Sequence, residues 1–157
     1  MHCNILSKEQ QELFPLLQQF HDSFGLVGGT AVALHLGHRR SIDFNLFSHA
    51  SFDIQNIDQV ISIPDLITLG AMKAFALGKR AKWKDYVDLY FIFHALKYDE
   101  LIQKTTELFG SEFNEKLFRV QLSYFVDVDY SEEVEFMEGF TVSKEDVQKY
   151  LTEISLG

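Results

Sequence analysis

The sequence predicts an α+β domain, on three observations. Residues 42–47 alternate apolar Ile42, Phe44 and Leu46 with polar Asp43 and Asn45, the period of a strand with one buried face. The other strand-like stretches, Leu26 with Val27 and residues 60–63, also come early. After Pro64 most stretches carry apolar residues at helical spacing. Strands first and helices later imply a small sheet at the N-terminal side and a helical C-terminal half. At 157 residues the chain suits a single domain, with 1–63 as the α/β part and 64–157 as the helical part.

Ser7 and Gln10 have the spacing of a capping box, and Leu13, Phe14, Leu17, Phe20 and Phe24 follow along one helical stripe. Pro15 breaks that helix, which either restarts or kinks there. Leu26 and Val27 form a brief strand that ends in the Gly28–Gly29 turn, and a short helix over 30–36 stops at Gly37. In the strand over 42–47, Asp43 and Asn45 project from one face. Residues 48–58 are polar and read as irregular. Pro64 stands at a first helical position beside Asp65 and opens a helix through Leu77. Further helices are expected over 85–96, 99–109 and 113–126. Ser143 caps a last one that ends near Ile154.

Composition narrows the function classes. With 46% hydrophobic and 24% charged residues the chain folds rather than staying disordered, and 15 phenylalanines predict an aromatic core. A formal charge of −9 disfavours unspecific binding to a phosphate backbone. Local basic clusters remain at Arg39 with Arg40 and at Lys79, Arg80, Lys82 and Lys84. A single cysteine, Cys3, rules out an intrachain disulfide and a thiolate zinc site, and a reducing, cytoplasmic setting is expected. No window reaches the roughly 18 apolar residues of a membrane span, so no membrane partner is expected.

The candidate chemistry lies in two blocks. In Gly28-Gly29-Thr30, glycines before a helix let backbone amides approach a phosphate, and Thr30 brings an amide and a hydroxyl to the helix start; an ordinary turn and cap would look the same. Asp43 and Asn45 stand two apart on one strand face, the geometry of a Mg²⁺ pair, with Asn45 offering a neutral oxygen; the alternative is a solvated edge. In the second block Lys73 lies in an apolar helix and Asp88 in an apolar run. Each needs a partner or a ligand, and either a phosphate-binding lysine oriented by an aspartate or a buried ion pair between helices would satisfy them. Asp85 caps its helix or joins this group. Trp83 between Lys82 and Lys84 either stacks on a base or anchors the turn, the anchor being favoured. Asp127, Asp129, Ser131 and Glu138 fall at EF-hand offsets, but Glu132 stands where glycine is required, so an acidic loop is expected. His35 and His38 are three apart without a third zinc ligand.

Taken together, Gly28-Gly29-Thr30, the 40–47 segment and Lys73 with the 84–90 segment resemble the nucleotidyltransferase-like toxins of bacterial abortive-infection and type IV toxin–antitoxin systems, the AbiEii/AbiGii family. The matching blocks cover 24–47 and 63–93. The resemblance implies a polymerase-β-like nucleotidyltransferase core. It also implies Mg²⁺-dependent transfer from a nucleoside triphosphate to a hydroxyl of a tRNA-like nucleic acid or a protein, with a cognate antitoxin encoded nearby. On this basis Asp43, Lys73 and Asp88 are catalytic. Gly28, Gly29, Thr30, Arg40, Ser41, Lys84 and Asp85 receive the nucleotide, and Asp43 with Asn45 holds Mg²⁺. Two departures stand out. Asn45 replaces the second metal-binding aspartate, and the 47–63 connection is too short for the strands that members carry there, which implies a truncated sheet. They raise the alternative of a catalytically degenerate fold that serves as a binding module.

Overall fold

Val27 is the last residue of a strand and Gly28 the first of a helix, so the chain passes from sheet to helix without a loop. The computed structural model describes residues 1–48, 54–57 and 61–157. Within them the fold is α+β, with a small mixed sheet and a larger helical part.

Helix α1 (Lys8–Glu12) has the expected capping box, with Ser7 accepting from the Gln10 amide and the Gln10 side chain accepting from the Ser7 amide. Pro15 makes the chain restart as α2 (Phe14–Leu17). Strand β1 (Phe24–Val27) leads into α3 (Gly28–Leu36), which Gly37 closes in the left-handed conformation at φ 70°. Strands β2 (Asn45–Ser48), β3 (Ile54–Ile57) and β4 (Ile61–Pro64) follow, in the sheet order β2-β1-β4-β3. The β1–β2 and β3–β4 pairs are antiparallel and the central β1–β4 pair is parallel.

Two expectations about the strands need correction. The strand begins at Asn45, not Ile42, and residues 41–44 have no regular structure. The reason lies in its partner: β2 pairs with β1 from Phe24↔Ser48 to Val27↔Asn45, and beyond Val27 the β1 chain has already turned into α3. Alternation alone cannot supply a ladder. The polar 48–58 segment is also not wholly irregular, because β3 falls within it and pairs with β4 from Ile54↔Pro64 to Ile57↔Ile61. The 47–63 connection therefore does hold a strand, and the remainder of it, residues 49–53 and 58–60, lies outside the described residues.

The helical part is α4 (Leu66–Leu77), α5 (Trp83–Ala95), α6 (Tyr98–Phe109), α7 (Glu115–Leu122) and α8 (Lys144–Leu156). Pro64 ends β4 instead of opening α4; Asp65 is the cap and accepts from the Thr68 amide at 2.9 Å. Ser143 caps α8 as expected. Ala31, Val32 and Ala33 of α3 and Tyr86, Val87, Leu89 and Ile92 of α5 are fully buried, so these two helices form the centre of the core. Between α7 and α8 an extended segment runs back across the molecule, plugged into the core by Phe125, Val128, Met137 and Val142. Among the described residues no helix is long and apolar enough to cross a membrane.

Candidate functional site

Asp88 on α5 is fully buried, and it is bound from three directions. Its Oδ1 accepts from Arg39 Nε at 2.7 Å and from His38 Nε2 at 2.9 Å. Its Oδ2 accepts from Arg39 Nη2 at 2.9 Å and pairs with Lys73 Nζ at 2.7 Å. Burial alone would push this carboxyl up, but the charges of Arg39 and Lys73 and the hydrogen bonds from His38 and Arg39 prevail, so it is held well below the usual carboxylate range. Burial likewise works against the charge on Arg39, and Asp88 outweighs it, leaving the guanidinium more firmly protonated than an ordinary arginine. Lys73 on α4 also donates to Asp85 Oδ1 at 2.6 Å, and Asp85 accepts from Arg80 Nε at 3.0 Å. A chain of charges thus runs from the loop after α3 to the turn before α5. Of the two alternatives the sequence left for Lys73 and Asp88, the buried ion pair between helices is present, with Asp85 as a second partner. An ammonium has three donors, and two of Lys73's go to these carboxylates.

This network forms the floor of a cleft of about 150 Å³, lined by Gly29, Asp43, Asn45, Lys73, Asp85 and Glu132 together with Arg39, Arg80, Lys82 and Lys84. Five cationic and three acidic side chains face it, in a chain whose formal charge is −9. Even with Asp88 counted beneath the floor the balance stays positive by a single charge, which favours an anionic guest over a cationic one. Lys73, Asn45, Gly29 and Arg80 also border a second, apolar lobe of about 420 Å³, walled by Val27, Phe47, Leu69, Met72, Phe75 and Phe109. The two lobes adjoin, one charged and one apolar.

The glycines are required for a reason the sequence did not disclose. A Cβ on Gly29 would lie 2.5 Å from Arg39 Nη2, and one on Gly28 would lie 2.8 Å from Asn45 Nδ2. Gly28 also has φ +77°, a conformation that side chains resist. Both glycines therefore let site residues pack onto the start of α3. The N-cap position of that helix is Val27, which makes no side-chain capping bond to its first amides.

The structure brings together Gly29, Ser41, Asp43, Asn45, Lys73, Lys84 and Asp85 of the sequence candidates, with Gly28 in the adjoining lobe. Thr30 and Asp88 are fully buried and lie outside the cleft lining. The Thr30 hydroxyl donates to the backbone carbonyl of Asp43, tying the start of α3 to the segment that presents this carboxylate. Arg40 turns to the neighbouring surface and pairs with Glu135 at 2.8 Å. Trp83 packs on the core between Tyr86 and Tyr130, the anchoring role. His35 bonds the Pro64 carbonyl at 2.8 Å, while His38 bonds Asp88, so the two histidines do not share a ligand.

His38, Arg39, Arg80 and Glu132 were not assigned to this site from the sequence. A hint existed for Arg39: Asp88 needed cationic partners, and Arg39 belonged to one of two basic clusters. For metal binding, the cleft offers the exposed carboxylate of Asp43 and the amide of Asn45, because Asp85 and Asp88 are committed to lysine and arginine and the partly exposed Glu132 is paired with Lys82 and Lys84. Among the described residues no three His, Cys, Asp or Glu side chains converge. One carboxylate beside a neutral amide is a weaker donor set for a divalent ion than paired carboxylates, and it does not by itself suit a clamp for two ions. Comparison of the chain with protein families, with curated proteins and with solved structures gave no match in any of the three.

Proposed function

We propose that this chain is a nucleotidyltransferase-like protein with a polymerase-β-like core, which binds a nucleoside triphosphate in the two-lobed cleft. In this reading it transfers the nucleotidyl group to a hydroxyl of a nucleic acid or protein, in a bacterial toxin or phage-defence setting. One observation carries the reading: Gly29, Asp43 with Asn45, and Lys73 come from three separate segments and line one positively balanced cleft. The phosphates would meet the Gly29 amide at the positive end of α3, the remaining donor of Lys73, and Arg80. The base would enter the apolar lobe beside Phe75 and Phe109. Asp43 and Asn45 would hold Mg²⁺, which supplies charge neutralisation on the phosphates when bound. Transfer forms a bond from the acceptor oxygen to the α-phosphorus and breaks the α–β bridge, the hydroxyl proton passing to solvent as pyrophosphate leaves. The protein's share is alignment and charge stabilisation.

Calorimetric titration with each nucleoside triphosphate, with and without Mg²⁺, tests this together with a pyrophosphate-release assay. Mg²⁺-assisted binding that Asp43→Ala weakens, accompanied by pyrophosphate release, is the expected result. Absence of binding by any of the four would overturn it. Asn45 in place of a carboxylate favours a second reading, a degenerate fold that binds nucleotide or a protein partner without transfer. Tight binding with no pyrophosphate release on any acceptor would select that reading.

A further inference from the structure

The extended segment between α7 and α8 does more than connect helices. It is pinned on both sides of the cleft. On one side the Asp129 amide donates to the Ala81 carbonyl at 2.7 Å and the Trp83 amide to the Asp129 carbonyl at 3.0 Å. On the other the Arg40 amide donates to the Glu135 carbonyl at 2.9 Å and the Met137 amide to the His38 carbonyl at 3.0 Å. Between these anchors lies Glu132, with one carboxylate oxygen on Lys82 and the other on Lys84 at 3.0 Å. Lys82, Lys84 and Glu132 all line the charged lobe. The two lysines hold the Glu132 carboxyl down to about 2, lowered most by the Lys82 hydrogen bond, so it stays ionised at any physiological pH.

We propose that Glu132 is a resident anion of the cleft, occupying Lys82 and Lys84 until a polyphosphate guest displaces it. The strap thereby restrains binding and favours guests with enough charge to take over both lysines. This rests on the reading of the cleft as a polyphosphate site. The contact is built to yield. Lys82 and Glu132 are each more than 40% exposed, so water replaces the lost pairing cheaply, while the backbone anchors on either side keep the strap in place. Trp83, the only tryptophan, stands between Lys82 and Lys84 in the chain and so reports a change of partner at these two lysines.

The test is titration of the full chain with inorganic tripolyphosphate, read by Trp83 fluorescence and by calorimetry. It uses the wild type, Glu132→Gln, and Glu138→Gln as a control that removes the same charge from the same strap. Glu132→Gln is expected to tighten binding roughly 3- to 10-fold, the range one or two exposed ion pairs supply, and to shrink the fluorescence change. Glu138→Gln should leave affinity close to wild type. If both variants tighten binding equally, the effect is general charge and the proposal falls. If the wild type binds and Glu132→Gln binds no tighter, the proposal falls while the polyphosphate site stands. Absence of binding to all three chains would overturn the site itself and the proposal with it.

Discussion

Arg39 and Asp88 face each other in a two-point pair, Nε to Oδ1 at 2.7 Å and Nη2 to Oδ2 at 2.9 Å, with side chains 2% and 0% exposed. The pair closes a separation of 49 residues and fixes the loop after α3 to the middle of α5. The planar guanidinium matches the carboxylate at two points, which a lysine cannot do. Because Arg39 also presses against Gly29, this contact sets the position of the α3 start relative to the cleft floor.

Replacing Asp88 with asparagine leaves Arg39 and Lys73 buried with one acid fewer. The expected loss is about 3–5 kcal/mol, the usual cost of breaking a buried ion pair from one side. For a chain of this size that lowers the melting temperature by roughly 10 °C, as scanning calorimetry would measure. A loss below about 1 kcal/mol would mean that the network does not hold the fold together.

Asp88 also links stability to pH. Its folded pKa lies below that of an unfolded aspartate, so the folded state binds fewer protons in the acid range. Its contribution is fully present above about pH 4, the unfolded value, and is lost as pH falls toward the depressed folded value. Urea midpoints measured from pH 7 to pH 3 should fall steeply below pH 4 in the wild type. Asp88→Asn should give a shallower decline over that window, and an equal slope would show that other acids dominate.

Alanine at the two glycines should act differently. Gly28→Ala places a side chain at φ +77°, at a cost of roughly 1–3 kcal/mol, while the Asn45 side chain can swing aside. Gly29→Ala meets the tip of a buried arginine that cannot move without leaving Asp88, so its greater cost is expected in the network. Denaturation of Gly29→Ala in the Asp88→Asn background checks this. The two effects should sum to less than their separate values, because both act on the Arg39–Asp88 contact.

Asn45→Asp supplies the second anionic oxygen beside Asp43. If the cleft holds Mg²⁺ on a triphosphate, this substitution should strengthen Mg²⁺-dependent nucleotide binding, read by calorimetry as a larger ratio of affinities with and without the ion. An unchanged ratio would argue for the binding-module reading.

Much of the backbone was legible because its causes are local. The Ser7–Gln10 box, the restart at Pro15, the stop at Gly37 and the Ser143 cap each depend on residues within one turn. The discomfort of Lys73 and Asp88 in apolar surroundings was also readable, since a lone charge there is costly wherever its partner lies. Their full partner set was not. Arg39 and His38 lie 49 and 50 residues from Asp88, and nothing in local spacing ranks them above Arg40 or Lys84. The strand over 42–47 failed for a related reason: alternation marks residues able to form a strand, whereas the ladder exists only where a neighbour remains extended.

By itself, then, the sequence determined the α+β order, most helix starts and stops, and that Lys73 and Asp88 required partners, because propensity, capping, periodicity and the cost of a lone buried charge act over a few residues. Tertiary structure alone decided where β2 begins, which cations meet Asp88, and that an acidic strap lays Glu132 across Lys82 and Lys84. Coulombic and hydrogen-bonded pairing fall off over ångströms in space, whatever the separation along the chain, so only folding could choose among the partners the sequence made available.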